Sequence, residues 1–440
     1  MSQTPETPRE ESTDSLVEPA AAADTAPRSA LAVVFLTVFI DLLGFGIVLP
    51  VLPRHAEPLL QQLGLPPWGV GTMIGVLFSV FSLMQFVFSP FWGRVSDMVG
   101  RRPILLLSLS GSVVFYALYG YAVTFTSPAV AIGLMLASRI GAGIAGASVG
   151  TAAAVIADCT TPEKRARGMA LIGIAFGAGF TLGPLIAYFG LAAFDQQPWG
   201  VGALASLLSF TALCIAATVF RETRRPGGAK AKGFFGPARM LNVLQMPQVG
   251  LLVLTYFLSI FAFANFEATL ARLTEQAFGM SDDQNFLVFA FIGAVLMVAG
   301  GSYRPLAARL PETRLLAVGV AMMMLGLAGI GSVAWAASRE ATVAAGLSLP
   351  SWLYLTAAVA VFGFAFVNPS VSALISKHAD PSRQGEVLGV NQSFASLGRI
   401  LGPFLGSVLF SLHASRTLPF VTAVGVLIVV AALTWRLSDE

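Results

Sequence analysis

"VFIDLLGFGIVLP", residues 38–50, lies inside an apolar run of about 31–53 and carries one carboxylate, Asp41, near the middle of that run. As a helix, a run of this length crosses the ~30 Å hydrocarbon core of a bilayer. A charge at its centre costs at least about 2.5–3.5 kcal/mol even on the lenient insertion scale. A chain that keeps Asp41 there has a use for it, and the cost falls if the charge is intermittent.

The rest of the chain reads the same way. Of 440 residues, 56% are hydrophobic and only 11% charged, whereas a soluble domain carries about 25% charged residues. The apolar excess is gathered into twelve blocks, at about 31–53, 68–92, 103–124, 129–156, 168–191, 198–220, 248–271, 285–303, 314–336, 351–376, 386–411 and 417–436. Each is long enough to span. The pattern predicts an all-α membrane protein. Cys159 and Cys214 fall at or in separate spans and imply neither a disulfide framework nor a metal site.

Residues 1–29 differ in kind, with six acids, two arginines and four prolines. They read as a disordered acidic tail that lacks the basic start and short apolar core of a secretory signal. Loop charge then sets orientation. With the tail cytoplasmic, twenty of the 26 Lys and Arg residues fall in the tail, the cytoplasmic loops and the C-terminus. Only Arg54, Arg272, Arg339 and Arg416 fall outside, while Arg139 and Arg399 lie within spans. The bias predicts both termini in the cytoplasm. Segment 222–247 reads as a basic cytoplasmic linker, with "FFGPARMLNVL" as an interfacial helix. It separates a bundle over 30–221 from a second over 248–440.

The halves repeat. "PEKRARGMALIGIAFGAGFTLGP" (162–184) and "PSRQGEVLGVNQSFASLGRILGP" (381–403) match at one offset of 219 residues. The matched pairs are Pro162/Pro381, Gly179/Gly398, Leu182/Leu401, Gly183/Gly402 and Pro184/Pro403. Twelve spans in two pseudo-symmetric six-helix bundles follow, the parallel repeat of a large transporter fold.

The loop after the second span reads "GRVSDMVGRRPILL", 93–106. It resembles the Gly-x-x-x-Asp-x-x-Gly-Arg-Arg signature of the major facilitator superfamily. "SRIGAGIAGASVG" (138–150) resembles that superfamily's fourth-helix motif, centred on Arg139, and "GAGFTLGP" (177–184) its antiporter motif. "IDLLGFGIVLPVLP" with "AAAVIADCTTPEKRARG" is similar to the drug:proton antiporter branch that holds tetracycline exporters and their tetracycline-transporter-like relatives. The resemblance covers about 31–437. It departs where Ala187 and Tyr188 replace an expected Gly-Gly. In the second copy of the loop signature, "YRPLAARLPETRLL", the Asp is missing and Pro311 stands for a Gly. It departs again at Glu267, which tetracycline exporters need not have.

Several site expectations follow. Asp97, read as lying near the start of the third span, suits a helix N-terminus. Arg101 and Arg102 are placed to pair with it or with lipid headgroups, and Gly93 and Gly100 to allow a tight turn. The resemblance implies that this loop latches the two halves in an outward-facing state. Gly179, Gly183 and Pro184, with Gly402 and Pro403, read as bends packed against a helix of the other half, forming a gate; ordinary small-residue packing is the alternative.

Four charges are deep: Asp41, Arg139, Glu267 and Arg399. Counting 1.5 Å per residue from the span ends puts Asp41 and Arg139 both ~15 Å in, hence level, and Glu267 higher, toward the outer side. An Asp41–Arg139 contact that opens and closes is what a proton carrier needs, because burial and a nearby guanidinium act on a carboxylate in opposite senses. Asp41, Arg139 and Glu267 are therefore the proton-coupling candidates. A static ion pair is the alternative for Asp41, simple solvation for Glu267 and structural pairing for Arg399. Gln85, Asn265, Asn368, Gln392 and Arg399 are the candidates for a substrate cavity. His55, His378 and His413 fall near span ends or in loops and receive no chemistry.

No phosphate-binding loop, metal cluster or nucleophile constellation stands in the chain, so neither ATP nor an enzymatic mechanism is indicated. The expected function is a proton-coupled antiporter that exports amphipathic drug-like molecules by alternating access. A proton-coupled symporter or facilitator importing a sugar or organic anion is the alternative. The expected partners are membrane lipids, protons and a small amphipathic substrate, with no cofactor beyond the proton gradient and no nucleic acid. The expected setting is a monomer in a bacterial inner membrane.

Overall fold

In the computed structural model of the chain, the described residues are 28–160, 162–224, 237–339, 348–379 and 384–438. Most of the tail, most of the basic linker and Pro381 lie outside them. All regular structure among the described residues is helical. The first half holds α1 (Arg28–Gln62), α2 (Pro67–Val99), α3 (Arg101–Ala122), α4 (Pro128–Ala145), α5 (Val149–Cys159), α6 (Pro162–Ala193) and α7 (Trp199–Val219). A short α8 (Pro237–Leu244) follows, at the site of the expected interfacial helix. The second half holds α9 (Pro247–Phe278), α10 (Asp282–Ala307), α11 (Glu312–Ser338), α12 (Leu349–His378), α13 (Gln384–Leu412) and α14 (Leu418–Ser438).

Among the described residues, eleven helices are long and apolar enough to cross a membrane, taking α4 and α5 together; in α6 the apolar section Gly177–Ala193 is shorter, and with α6 the helices correspond to the twelve blocks of the sequence. Starts and stops follow local chemistry. Proline stands in the first turn of α2, α4, α9 and α12, where no helical hydrogen bond is lost. Gly279 ends α9 in the left-handed region at φ 61°, and a Ser281/Gln284 capping box opens α10.

The repeat seen in the sequence is also a repeat of packing. In the first half α6 lies on α1, and an added Cβ at Gly183 would come within 2.9 Å of the Gly46 backbone. In the second half α13 lies on α9, where an added Cβ at Gly402 would meet Phe261 at 2.7 Å and Asn265 at 3.2 Å. Gly46 and Asn265 are themselves 219 residues apart. The offset thus relates whole helix pairs.

These contacts correct one expectation. Gly179, Gly183, Gly398 and Gly402 do not face the other half; they press on α1 and α9 of their own. Small residues let two backbones meet, and the nearest backbone is the sibling helix. Contact across the halves falls on α2 with α13 and on α6 with α10. Ser79 donates to the carbonyl of Ile400 at 2.6 Å, and Thr181 to that of Gly293 at 3.0 Å.

These cross-contacts gather away from the linker. On α2, Gly71 and Gly75 would meet Ser407 and Phe404 of α13 below 3 Å if they bore a Cβ, and both lie near the end of α2 remote from the linker. Nearer the linker, nothing among the described residues lies within 4 Å of such an atom at Gly93 of α2, Gly177 of α6, or Gly300 and Gly301 of α10. The halves are closed on the face opposite the linker.

Candidate functional site

Asp41 sits on α1, only 3% exposed. Ser112 donates to its Oδ1 at 2.9 Å, and Ser148 and Ser108 to Oδ2 at 3.1 and 3.4 Å. The Tyr116 hydroxyl donates to the Asp41 backbone carbonyl at 3.2 Å. The carboxylate is held by hydroxyls, with no ion pair among the described residues. Desolvation disfavours its charged form while three donors favour it.

Ser148 reaches Asp41 because the fourth span, expected as one helix, is broken. Residues 146–148 form a turn between α4 and α5. A break frees carbonyls that a buried site must satisfy. Gln85 donates to the Gly146 carbonyl at 3.1 Å, and the Trp92 indole to that of Ile144 at 2.8 Å. Gln85, expected in a substrate cavity, holds the break that delivers Ser148.

Arg139 does not pair with Asp41. Its level is the reason. Ser148, which touches Asp41, lies in the turn that ends α4, while Arg139 is within α4 and lies against Phe45, one turn beyond Asp41 on α1. The guanidinium instead lies 4.3 Å from the centroid of the Phe81 ring and 5.9 Å from that of Phe45, with Nε donating to the Leu77 carbonyl at 3.4 Å. It is 1% exposed, a buried cation on aromatic faces.

Of the other cavity candidates, Asn368 and Gln392 are exposed and Arg399 is half-buried, as is the proton-coupling candidate Glu267. Glu267 and Arg399 feel each other's charge but form no ion pair. Asn265 is not in an open cavity. It is fully buried beneath Gly406, and neither atom of its side-chain amide has a hydrogen-bond partner among the described residues.

The 93–102 loop is a tight network of a different design from the one expected. Asp97 lies in the last turn of α2 and pairs with Arg101, whose Nε also donates to Asp158 at 3.1 Å. The N-terminus of α3 is met by Glu222, which accepts from the backbone N–H of Arg101 at 2.9 Å and of Arg102 at 3.0 Å. Burial pushes the Glu222 carboxyl up, but four backbone donors outweigh it and hold the group below the usual carboxylate range. The Arg102 guanidinium donates to the Ala217 carbonyl at 2.7 Å. All these partners belong to the first half or the first residues after it. Gly93 has no close neighbour, whereas Gly100 has φ 109°, and a Cβ there would lie 2.5 Å from Glu222. Gly100→Ala is therefore expected to lower stability by about 1–3 kcal/mol through backbone strain and loss of the Glu222 cap. Thermal unfolding in detergent checks this, and an unchanged midpoint would refute it.

A second cluster closes the opposite face, and sequence reading missed it. Glu57 of α1 accepts two bonds from Arg272 of α9, at 2.8 and 3.0 Å, and one from Gln276 at 2.9 Å. Arg272 also donates to Ser411 at 3.0 Å and covers the Phe410 ring at 4.6 Å. Arg54 pairs with Asp282 at the start of α10, and Asn285 donates to the Pro50 carbonyl at 3.0 Å. His55 lies in the same cluster, 3.2 Å from the Tyr119 hydroxyl. Two arginines that counted as external loop charges are thus ties between the halves.

Two six-helix bundles meeting around buried charges, tied together on the face away from the linker, define a membrane transport protein. Comparison with known proteins agrees. The Major Facilitator Superfamily model matches residues 34–349 and 330–440. The bovine major facilitator superfamily domain-containing protein 10 is 32% identical over 88% of each chain. The class G tetracycline resistance protein of Vibrio anguillarum is 28% identical, over 92% of this chain and 96% of that one. The crystal structure of the human organic anion transporter MFSD10 (TETRAN) superposes with a TM-score of 0.64 at 28% identity, covering 92% of this chain and 99% of that chain. The chain belongs to the Major Facilitator Superfamily. It is an integral, multi-pass membrane transporter and not an enzyme.

Proposed function

We propose that the protein is a proton-coupled antiporter that exports amphipathic small molecules by alternating access, with Asp41 as the group that gains and loses the proton. The observation carrying this reading is the Asp41 site, a buried carboxylate held by three neutral hydroxyls and no cation. Such a site accommodates a protonated or an ionised acid without rearranging a salt bridge. Hydroxyls rotate to donate or accept as required. Arg139 acts at a distance rather than as a contact partner.

The loop-charge bias supports placing both termini and the linker in the cytoplasm. The state described is then closed to the outside, its halves tied by Glu57–Arg272 and Arg54–Asp282. Release of those ties is the step that exposes Asp41 to the other side. Similarity to tetracycline resistance proteins supports the export direction.

A second reading, proton-linked movement of an organic anion, is favoured by Arg399, an arginine within a span without an acidic contact among the described residues, and by similarity to a transporter described as an organic anion transporter. An efflux screen with cationic, neutral and anionic dyes in a transporter-deficient host, with and without a protonophore, decides between them. The antiporter reading expects dye depletion that the protonophore abolishes. Accumulation, or export that ignores the protonophore, would reject it.

A further inference from the structure

We propose that Arg399 is the oxyanion anchor of the transport cavity, binding the carboxylate or sulfonate of an amphipathic organic anion, with Glu267 deciding when the anchor is free. This inference rests on the second reading above.

The other deep arginines are engaged. Arg139 lies on Phe81, Arg272 on Glu57 and Phe410, and Arg54 on Asp282. Arg399 is half-buried on α13 within a span, and no hydrogen bond or ion pair engages its guanidinium among the described residues. A guanidinium offers five donors in a planar fork matched to oxyanions. Without an acceptor among the described residues, that fork suits a visiting ligand.

The neighbourhood fits an amphipathic anion. Gly398, next in sequence, presses on Phe257 and Ile260 of α9, which puts Arg399 beside a stripe of α9 carrying Tyr256, Phe263 and Glu267. From Ile260 to Glu267 is seven residues, about 10 Å along the helix. Acid and base are thus close enough to interact but are held out of contact, where a direct salt bridge would have been the simplest way to compensate both. The buried Phe263 ring stacks on Phe364 of α12, with centroids 3.8 Å apart and planes 3° from parallel, and backs the half-buried Phe364, a flat apolar side chain for the body of a ligand. Gln392, two turns toward the linker on the same face of α13 as Arg399, is exposed and gives that approach a polar lining.

Linkage follows from the charges. Ionised Glu267 competes with a ligand oxyanion for Arg399, and protonated Glu267 does not. Arg399 is the one charged group acting on Glu267; none from α1, α10, α12 or α14 does so among the described residues. The anion therefore binds more tightly as pH falls, and it binds together with a proton.

The test is equilibrium binding of 1-pyrenesulfonate, anionic at every pH used, to the full chain in nanodiscs, with protein-free nanodiscs subtracted. Wild type is expected to bind more tightly in acidic than in mildly alkaline buffer. Arg399→Gln is expected to lose about tenfold to a hundredfold in affinity, the worth of a charge-assisted hydrogen bond, while Arg399→Lys keeps part of it. Glu267→Gln is expected to bind tightly at both pH values. Absence of wild-type binding, affinity indifferent to both Arg399 variants, or pH dependence that survives Glu267→Gln would each overturn the proposal. Proton flux that depends on Asp41 is read separately, so its persistence alongside any of these results leaves the transport reading standing.

Discussion

Glu57→Ala is expected to unlock the closed face. The glutamate is 9% exposed and Arg272 3%, so the change strands a buried guanidinium with only Ser411, the Ser407 carbonyl and the Phe410 ring. Removing one partner of a buried pair costs about 3–5 kcal/mol, because the remaining charge has lost its compensation. In the proposed alternating-access cycle the halves part here in the other state, so that cost falls on the closed conformation. Each 1.4 kcal/mol moves a two-state equilibrium about tenfold, so the closed-face population should fall by about a hundredfold or more. A Ser407→Cys probe reports it, because Ser407 is fully buried between α13 and α2. In a background without Cys159 and Cys214, a membrane-impermeant maleimide should label the introduced thiol slowly with Glu57 present and rapidly with Glu57→Ala. The double variant Glu57→Leu/Arg272→Met removes both charges and should label slowly again. Equal rates in all three would show that the pair does not hold this face shut.

Much of this architecture was legible in the sequence, and the reason is physical. A bilayer imposes a length and polarity on every span, so twelve blocks and a 219-residue offset suffice to define two six-helix bundles. Asp41 stood out by the same rule, as a carboxylate where carboxylates are costly. Its hydroxyl partners did not. Serines are common in spans, and whether Ser108, Ser112 and Ser148 converge depends on the mutual rotation of α1, α3 and α5. The break that turns Ser148 inward had only the faint signal of Gly146 among other small residues.

Depth was misjudged for a related reason. Distance from a span end measures depth only if the span ends at the membrane surface. At 35 and 33 residues, α1 and α2 overshoot the roughly 20 that a bilayer needs. Arg139 was accordingly placed level with Asp41, whereas it lies against Phe45, one turn beyond Asp41 on α1. The Glu57–Arg272 tie was invisible because its partners are 215 residues apart and neither belongs to a motif. Glu222 was hidden in a basic stretch, where it read as one stray acid rather than the cap of α3.

The second large effect concerns Asp41 itself. Asparagine has nearly the same shape, and its carbonyl oxygen still accepts from Ser112. Its NH2 group faces Ser108 and Ser148, whose hydroxyls turn to accept instead of donate. Asp41→Asn should therefore fold, express and hold its thermal stability near that of the parent. It cannot bind or release a proton in the cycle. Ser112→Ala, which keeps the acid but removes its nearest donor, should retain coupled transport with a displaced pH profile.

The most direct measurement is substrate-dependent proton flux in proteoliposomes that carry a pH-sensitive dye in the lumen and a substrate taken from the efflux screen outside. Wild type should move protons against the substrate in proportion to substrate moved, and Asp41→Asn should fall to the protein-free baseline while remaining folded. Full coupled flux through Asp41→Asn would contradict the account. If Glu267→Gln alone abolished flux, the proton would belong on α9 instead.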